Sequence, residues 1–336
     1  MANPFEQLQA VAREMSFVQG AELVRQGEAS RGAFLIRRGA VEARVALPGG
    51  GALTVARFAD GDMFGEMSLI ERGVCSATVV ALGKVDAWFV GRDDFRALVA
   101  SREQAGLGIQ RAITAALAAR LRALNEQVSA HPAEEDRPAS TAPPERIDLK
   151  FPKKISFDWR AFLPALPFFE GFHGGEIDEL AAAGRVTELE RGAGVFTAGA
   201  AATACYLVLR GALEIFTVNG KIERRVAIAG PGELVGFMAV INGAPRANHA
   251  RVREACCLLE LPREAFLAIY NGSSAATVSL HHAIHRSLMR SIARTNTQLT
   301  RLISHARLST AADKADKLEA ALHGQIWRAE IERPAG

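Results

Sequence analysis

Residues 34–39 read FLIRRG and residues 206–211 read YLVLRG, and this pair of segments decides the fold of the 336-residue chain. The two segments lie 172 positions apart, and the same offset relates Gly27 to Gly199 upstream of them. A correspondence of this kind, kept along the chain, indicates an internal repeat of one structural unit.

The correspondence continues downstream at an offset of 171, which requires a single deletion between the two copies. The residues that keep this second offset are Gly61 with Gly232, Gly65 with Gly236, and Phe95 with Phe266. Because one register holds across all of these positions, the chain is predicted to contain two copies of the same domain.

Short apolar segments alternate with glycine-containing turns in each copy. In the first copy these segments are AELVRQGE, GAFLIRRG, VEARVAL, LTVARF, SATVVAL and VDAWFV. Alternation broken by turns at this spacing is typical of an antiparallel β sandwich or barrel. A helix is expected after each β unit, over residues 93–128 and over residues 263–307, the second broken near Asn271 and Gly272.

Each predicted helix carries apolar residues at helical spacing, which suits pairing between helices as well as packing on the β unit. In the first helix these residues are Leu117, Leu121, Leu124 and Val128. In the second helix they are Leu288, Ile292, Leu299 and Leu302, with Thr295 interrupting the series.

A change in composition separates the two copies. The segment from Ser129 to Pro152 contains five prolines together with many Ala, Ser and charged residues, as in a flexible linker with extended character. We therefore expect four parts. They are a first domain with its helix (residues 1–128), a linker (129–160), a second domain with its long helix (161–308), and a C-terminal helix and tail (309–336).

Composition and motifs exclude several function classes. The net charge is only +3, which argues against a nucleic-acid binder, and the 28 residues after Leu308 are too few for a winged helix-turn-helix domain. The sequence has no apolar run long enough to span a membrane and no secretory signal, so a cytoplasmic protein is expected. Abundant Arg and Ala suggest a bacterial source, and the absence of known catalytic motifs predicts a non-enzymatic protein.

The most informative motif is GDMFGEMSL at residues 61–69, followed by SATV at residues 76–79. Together with Gly27, Glu28 and Gly39, it resembles the cyclic-nucleotide-binding domain family, to which the catabolite activator protein and the protein kinase A regulatory subunit belong. The resemblance extends over both copies and implies an α+β fold. We thus expect two tandem antiparallel β-roll (jelly-roll-like) domains, each followed by a long helix.

The resemblance also implies a phosphate-binding cassette in which a Glu accepts a hydrogen bond from the ribose 2′-hydroxyl and an Arg neutralises the phosphodiester. The first copy has the Glu as Glu66, but Cys75 stands where the Arg is expected, and Arg72 lies three residues earlier. The second copy has the Arg as Arg246, but Phe237 stands where the Glu is expected. Neither copy carries both polar anchors.

The candidate ligand-binding residues follow from these two cassettes. In the first cassette they are Gly65, Glu66, Met67, Ser68, Arg72, Ser76, Ala77 and Thr78. In the second cassette they are Gly236, Phe237, Met238, Ala239, Arg246, Ala247 and Asn248. No cofactor or metal is expected, and the ligand could be cAMP, cGMP or a cyclic dinucleotide.

The remaining polar clusters favour structural roles. His281, His282 and His285 have helical spacing but no acidic or cysteine ligand nearby, so we expect them to be solvated or to line a helix seam. Cys256 and Cys257 lie within an apolar strand and are expected to be buried.

Two functional hypotheses remain open. In the first, the protein is a regulator that senses a cyclic nucleotide or related phosphorylated ligand and signals to a partner protein through the helices after each β roll. In the second, it is a ligand-independent scaffold with degenerate cassettes. In either case the long helices are expected to pair, within one chain as a pseudo-dimer or between two chains as a homodimer.

Overall fold

The computed structural model describes residues 12–46, 50–70, 72–101, 104–129, 137–138, 158–220 and 222–309. These residues form two compact units. One unit contains the residues up to Val128 and those from Leu288 onward, and the other contains the residues from Ser129 to Ser287. Most of the expected linker and nearly all of the expected C-terminal helix and tail lie outside the described residues.

The described strands of the first β unit are β1 (Arg13–Phe17), β2 (Glu22–Val24), β3 (Gly32–Arg38), β4 (Val41–Ala46), β5 (Ala52–Phe58), β6 (Met63–Phe64), β7 (Thr78–Ala81) and β8 (Val85–Gly91). They form two four-stranded antiparallel sheets, in the orders β1-β8-β3-β6 and β2-β7-β4-β5. The FLIRRG segment therefore forms most of β3, a central strand of its sheet.

The core of this unit lies between the two sheets. Phe34 and Ile36 of β3 are buried against Val41 and Val79 of the opposite sheet. The ring of Phe34 also stacks on that of Phe64, with centroids 5.1 Å apart. Alternate residues of a strand point to opposite faces of its sheet, so the period-two pattern of the sequence places these side chains together.

Three helices accompany the first β unit: α1 (Met67–Ile70), α2 (Arg92–Ala100) and α3 (Gln104–Ser129). The single helix expected over residues 93–128 is thus divided into α2 and α3. The Ser101 hydroxyl donates to Leu98 O (2.8 Å) and so satisfies a carbonyl at the end of α2. Gly106 permits the start of α3 to pack closely on α2, because a Cβ atom at Gly106 would lie 2.5 Å from Leu98 O.

The second β unit repeats this arrangement with longer, continuous strands. Its strands are β9 (Arg137–Pro138), β10 (Arg185–Leu189), β11 (Gly194–Phe196), β12 (Ala204–Asn219), β13 (Ile222–Ala229), β14 (Leu234–Val235) and β15 (His249–Pro262). The main path of the sheet is β10-β15-β12-β13-β9, while β11 pairs with β15 and β14 with β12. Its helices are α4 (Trp159–Phe162), α5 (Gly174–Ala182), α6 (Phe237–Asn242), α7 (Arg263–Tyr270) and α8 (Ala275–Ser309).

The predicted break near Asn271 and Gly272 is confirmed, since it separates α7 from α8. Along α8, Leu288, Ile292 and Leu299 are buried, as their spacing predicts, and Thr295 between them is buried as well. The side chain of Leu302 lies outside the described residues. No helix in the described ranges is long and apolar enough to cross a membrane.

The fold class predicted from the sequence is confirmed: two antiparallel β-roll domains, each followed by a long helix. The repeat is also visible in the backbone. Gly39 and Gly211 both adopt a positive φ (+103° and +82°). Gly39 directly follows β3, whereas Gly211 lies at a register shift within the continuous strand β12.

Gly211→Ala tests the irregularity in β12. The added Cβ atom would overlap Ala255 O and would also impose a left-handed conformation, so the free energy of unfolding should fall by about 2–4 kcal/mol. Gly199→Ala is the matched control, because Gly199 has a similar φ of +81° but no atom within 4 Å of its added Cβ. It should cost about 1 kcal/mol. Equal losses in chemical denaturation would contradict the steric argument.

Candidate functional site

The backbone places Cys75 and Arg246 at equivalent positions of the two domains. Cys75 N donates to Glu28 O (2.8 Å), and Cys75 O accepts from the amide of the residue before Glu28 (2.9 Å). Arg246 N donates to Ala200 O (2.9 Å), and Arg246 O accepts from the amide of the residue before Ala200 (2.8 Å). Because the same backbone hydrogen bonds recur, Cys75 and Arg246 are equivalent in the structure as well as in the sequence register.

A left-handed glycine precedes the short helix of each cassette. Gly65 has φ +76° and is separated from the first residue of α1 by Glu66 alone. Gly236 has φ +77° and is the N-cap residue of α6. In the first domain the backbone passes close to β3, because a Cβ atom on Gly65 would lie 2.9 Å from Gly32 O. Glycine is required there by both its φ and the available space.

A cavity of about 1440 Å³ opens beside the first cassette. Its lining includes seven of the eight candidate residues of this cassette, namely Gly65, Glu66, Met67, Ser68, Arg72, Ser76 and Ala77. Thr78, the eighth candidate, is not part of the lining, and its hydroxyl accepts a hydrogen bond from Gln26 N (3.0 Å). Arg72 is exposed, so it lies at the rim of the cavity.

Glu66 is the buried charge of this site, with only 3% of its surface exposed. Its carboxylate oxygen Oε1 lies 3.6 Å from Nη1 of Arg120, a residue of α3 that also lines the cavity. A buried carboxylate requires a partner of opposite charge, and here the partner comes from the helix that follows the β unit. The cassette and α3 are therefore joined by an ion pair.

The end of α8 lies alongside α3 in the same compact unit. Thr295 Oγ1 donates to Asn125 Oδ1 (3.4 Å), and Met289 lines the cavity together with Arg120. The contact between Thr295 and Asn125 joins the later turns of α8 to α3, as expected for paired helices of a repeated domain.

Arg246 is enclosed in the second cassette, with 4% of its surface exposed. Nη1 donates to Gly236 O (2.7 Å) and Nη2 donates to Ala204 O, while the guanidinium carbon lies 4.4 Å from the centre of the Phe196 ring. Burial lowers the pKa of this guanidinium. Two of its three nitrogen atoms are thus engaged by the protein itself, and Nε has no partner in the described part of the chain.

The other candidates of the second cassette surround Arg246 with varied exposure. Phe237 is buried, with 6% of its surface exposed, and it begins α6. Met238, Ala239 and Asn248 are half-buried and Ala247 is exposed. An aromatic ring thus occupies the position that Glu66 holds in the first domain.

The four cysteines differ in accessibility. Cys205, Cys256 and Cys257 are buried, as expected for the last two, whereas Cys75 is partly exposed and lines the first cavity. Partial burial and the nearby Glu28 carboxylate raise the pKa of the Cys75 thiol. No disulfide joins them.

The histidine cluster forms part of the second domain's interior. His281 and His285 are fully buried, so they are not solvated, and His281 Nε2 lies 3.0 Å from Tyr270 O. In the described residues, no group of three or more His, Cys, Asp or Glu side chains could hold a metal ion.

Comparison with known proteins decides the family. The family model described as "Cyclic nucleotide-binding domain" matches residues 14–102 and 186–273, which together are more than half of the chain. The chain belongs to this family. The two predicted copies are confirmed, because each matched segment contains one cassette.

The individual relatives of this chain are distant. The chain is 34% identical over 104 residues to the cyclic AMP receptor protein of Thermus thermophilus, a match that covers 31% of this chain and 48% of the relative. It therefore spans about half the length of that curated relative. Among solved structures, the regulatory domain of Toxoplasma gondii PKA with cAMP is 20% identical, with 86% of this chain and 89% of the other covered and a TM-score of 0.33. The c-di-GMP responsive regulator CLP of Xanthomonas campestris is 25% identical, with 37% and 62% covered and a TM-score of 0.35.

Sequence reasoning missed Arg120, which lies outside the matched segment of the first cyclic nucleotide-binding domain. The usable signal was its place on α3. Arg120 is one residue before Leu121 of the predicted seam, so a cation beside that seam faces the region where α3 packs on the cassette. Nothing in the motif itself pointed to it.

Arg120→Met tests the ion pair. It leaves the Glu66 carboxylate buried without its partner, and the free energy of unfolding should fall by about 1–3 kcal/mol. Glu66→Gln in the same chain should recover part of this loss, because the buried charge is then absent. Denaturant unfolding of both single variants and the double variant measures the coupling, and strictly additive losses would contradict the pair.

Proposed function

We propose that this protein is a non-enzymatic bacterial regulator whose first domain senses a cyclic nucleotide or a related phosphorylated ligand. The observation that carries the proposal is the large cavity that holds Glu66 at its wall and Arg72 at its rim. A carboxylate accepts hydrogen bonds from vicinal hydroxyl groups such as those of ribose, and an exposed arginine attracts a phosphate.

The ligand would act on α3 through Glu66. A ligand hydroxyl that donates to Glu66 competes for the carboxylate that Arg120 of α3 contacts, so occupancy of the cavity and the position of α3 are linked. A ligand can shift such an equilibrium only by binding one arrangement better than the other. Glu66 provides this difference because its partner lies on the helix and not on the β unit.

A partner protein would detect the change at the paired helices. Since α8 contacts α3 through Thr295 and Asn125, and Met289 of α8 lines the cavity, a shift of α3 alters the surface that the two helices present together. This pairing within one chain supports the pseudo-dimer hypothesis over a homodimer formed by α3. The candidate ligands remain cAMP, cGMP and the cyclic dinucleotides.

The scaffold hypothesis is favoured by one specific observation, the enclosed second cassette. Arg246 and Phe237 are both buried there, so this domain would bind a partner through its outer surface and not a ligand in its cassette. If the first cavity also failed to bind a ligand, both β rolls would serve as docking surfaces for partners.

A ligand panel on the purified full chain distinguishes the two hypotheses. With cAMP, cGMP, cyclic di-GMP and cyclic di-AMP each present at about 1 mM, a ligand at about 100 times its Kd adds about 2.7 kcal/mol of stability. The melting temperature should then rise by several degrees with at least one of them. Glu66→Gln should reduce the shift strongly, whereas Phe237→Leu, the matched change in the second cassette, should leave it intact.

Two results would contradict the proposal. One is the absence of any shift at millimolar nucleotide, which favours the scaffold. The other is a shift that Phe237→Leu abolishes and Glu66→Gln preserves, which would move the sensor to the second domain.

A cross-link between the helices tests transmission. Asn125→Cys with Thr295→Cys, in a Cys75→Ser background, should form a disulfide on mild oxidation because the native side chains already meet at 3.4 Å. Oxidation should change ligand affinity about tenfold or more if α3 moves against α8, as judged by calorimetry before and after reduction. The same affinity in the oxidised and reduced proteins would mean that ligand binding does not depend on movement of α3 against α8.

A further inference from the structure

In the second domain, the side chain of the cassette arginine, Arg246, occupies a defined site. The planar guanidinium of Arg246 lies between Gly236 O and Ala204 O and packs on the face of the Phe196 ring. Two carbonyl acceptors and one aromatic face thus form a cradle for a planar group that donates N–H bonds. We call this set the guanidinium cradle.

The first domain keeps the two backbone acceptor positions of this cradle but lacks both the aromatic face and the arginine. Gly65, Gly32 and Val24 are equivalent to Gly236, Ala204 and Phe196, and Cys75 takes the place of the arginine. All four line the 1440 Å³ cavity. Replacing a long arginine by cysteine and an aromatic ring by valine removes the atoms that fill this space in the second domain.

The two acceptor residues of the empty cradle remain close together. A Cβ atom on Gly65 would lie 2.9 Å from Gly32 O, so the two peptide groups border the same narrow space. Each carbonyl oxygen has two lone pairs. The hydrogen bonds that Arg246 donates in the second domain have no counterpart from the side chain of Cys75.

The charge at the empty cradle is reversed relative to the second domain. Glu28 occupies the position of Ala200, and its carboxylate acts on the Cys75 thiol through space. Arg25 lies 3.6 Å from Glu28, but both side chains are more than 60% exposed, so this pair is weak. A phosphate placed here would lack the equivalent of Arg246 and would face a carboxylate.

We propose that the space beside Cys75 is a subsite for a planar N–H donor group of the ligand, such as a guanidinium, an amidinium or an amino-substituted heterocycle, and not for its phosphate. The subsite belongs to the cavity of the proposed function and rests on it. A ligand that also carries a phosphate places that group at Arg72 on the rim. In this orientation the ligand donates to Gly32 O and to the second lone pair of Gly65 O, which already accepts from Ser68 N (2.9 Å), and its phosphate lies away from the field of Glu28.

Cys75 itself reports occupancy of the subsite in the full chain. Its thiol is the partly exposed one, whereas Cys205, Cys256 and Cys257 are buried, so a disulfide reagent should label it first at about pH 8.5. Cys75→Ser identifies the fast phase. We expect methylguanidinium chloride at about 20 mM to slow this phase about threefold, while tetramethylammonium chloride, a cation without N–H donors, leaves it unchanged.

Two variants sharpen the test. Val24→Phe restores the aromatic face that Phe196 provides in the second domain, and it should lower the methylguanidinium concentration needed for protection about fivefold. Arg246→Ala empties the second cradle. Its melting temperature should fall, and methylguanidinium should raise it again by more than it raises that of the native chain.

Three outcomes would overturn the inference. They are equal slowing by both salts, no effect of Val24→Phe, and stronger protection of Cys75 by inorganic phosphate than by methylguanidinium. The proposed function fails separately. A nucleotide that raises the melting temperature through Glu66 while methylguanidinium leaves Cys75 unprotected refutes the subsite alone, whereas no response to either probe contradicts both.

Discussion

A left-handed glycine at the start of each cassette helix is the constraint on which the pockets of this protein depend. Gly65 and Gly236 turn the chain so that the cassette backbone lies against the first long strand, where a side chain would collide with its neighbours. Because this frame is the same in both domains, the difference between them comes from the few side chains that the frame surrounds. The largest difference is at one equivalent position, which holds Cys75 in the first domain and Arg246 in the second.

The two domains accommodate their buried polar groups in opposite ways. In the first, Glu66 is buried beside an open cavity and finds its counter-charge on α3, so the cassette is coupled to a helix. In the second, Phe237 removes the carboxylate and Arg246 satisfies two backbone carbonyls. Arg246 is hydrogen-bonded within its own domain and stabilises that domain, whereas Glu66 is paired with a residue of α3 and connects the cassette to that helix.

The long helices also have equivalent positions in the two repeats that hold different side chains. Gln110 and Thr114 of α3 and His281 and His285 of α8 occupy corresponding helical positions, and all four are buried. Buried polar side chains in a helix must find hydrogen-bond partners, and His281 finds one at Tyr270 O. His281 therefore joins α8 to α7 of its own domain, whereas Thr114 Oγ1 donates to Gln110 O within α3, and the later turns of α8 contact α3.

The sequence by itself determined the repeat, the β-roll class, the break before α8 and the apolar face of each long helix, because periodicity and turn glycines are local properties that survive translation into structure. It also located both cassettes, and the ligand-binding role of their residues stays a prediction. Tertiary structure alone decided that Arg120 reaches Glu66, that Arg246 turns inward to two carbonyls, and that the cavity extends to Cys75. These outcomes depend on which distant elements meet and on which charges lose water, and spacing along one chain carries no measure of either.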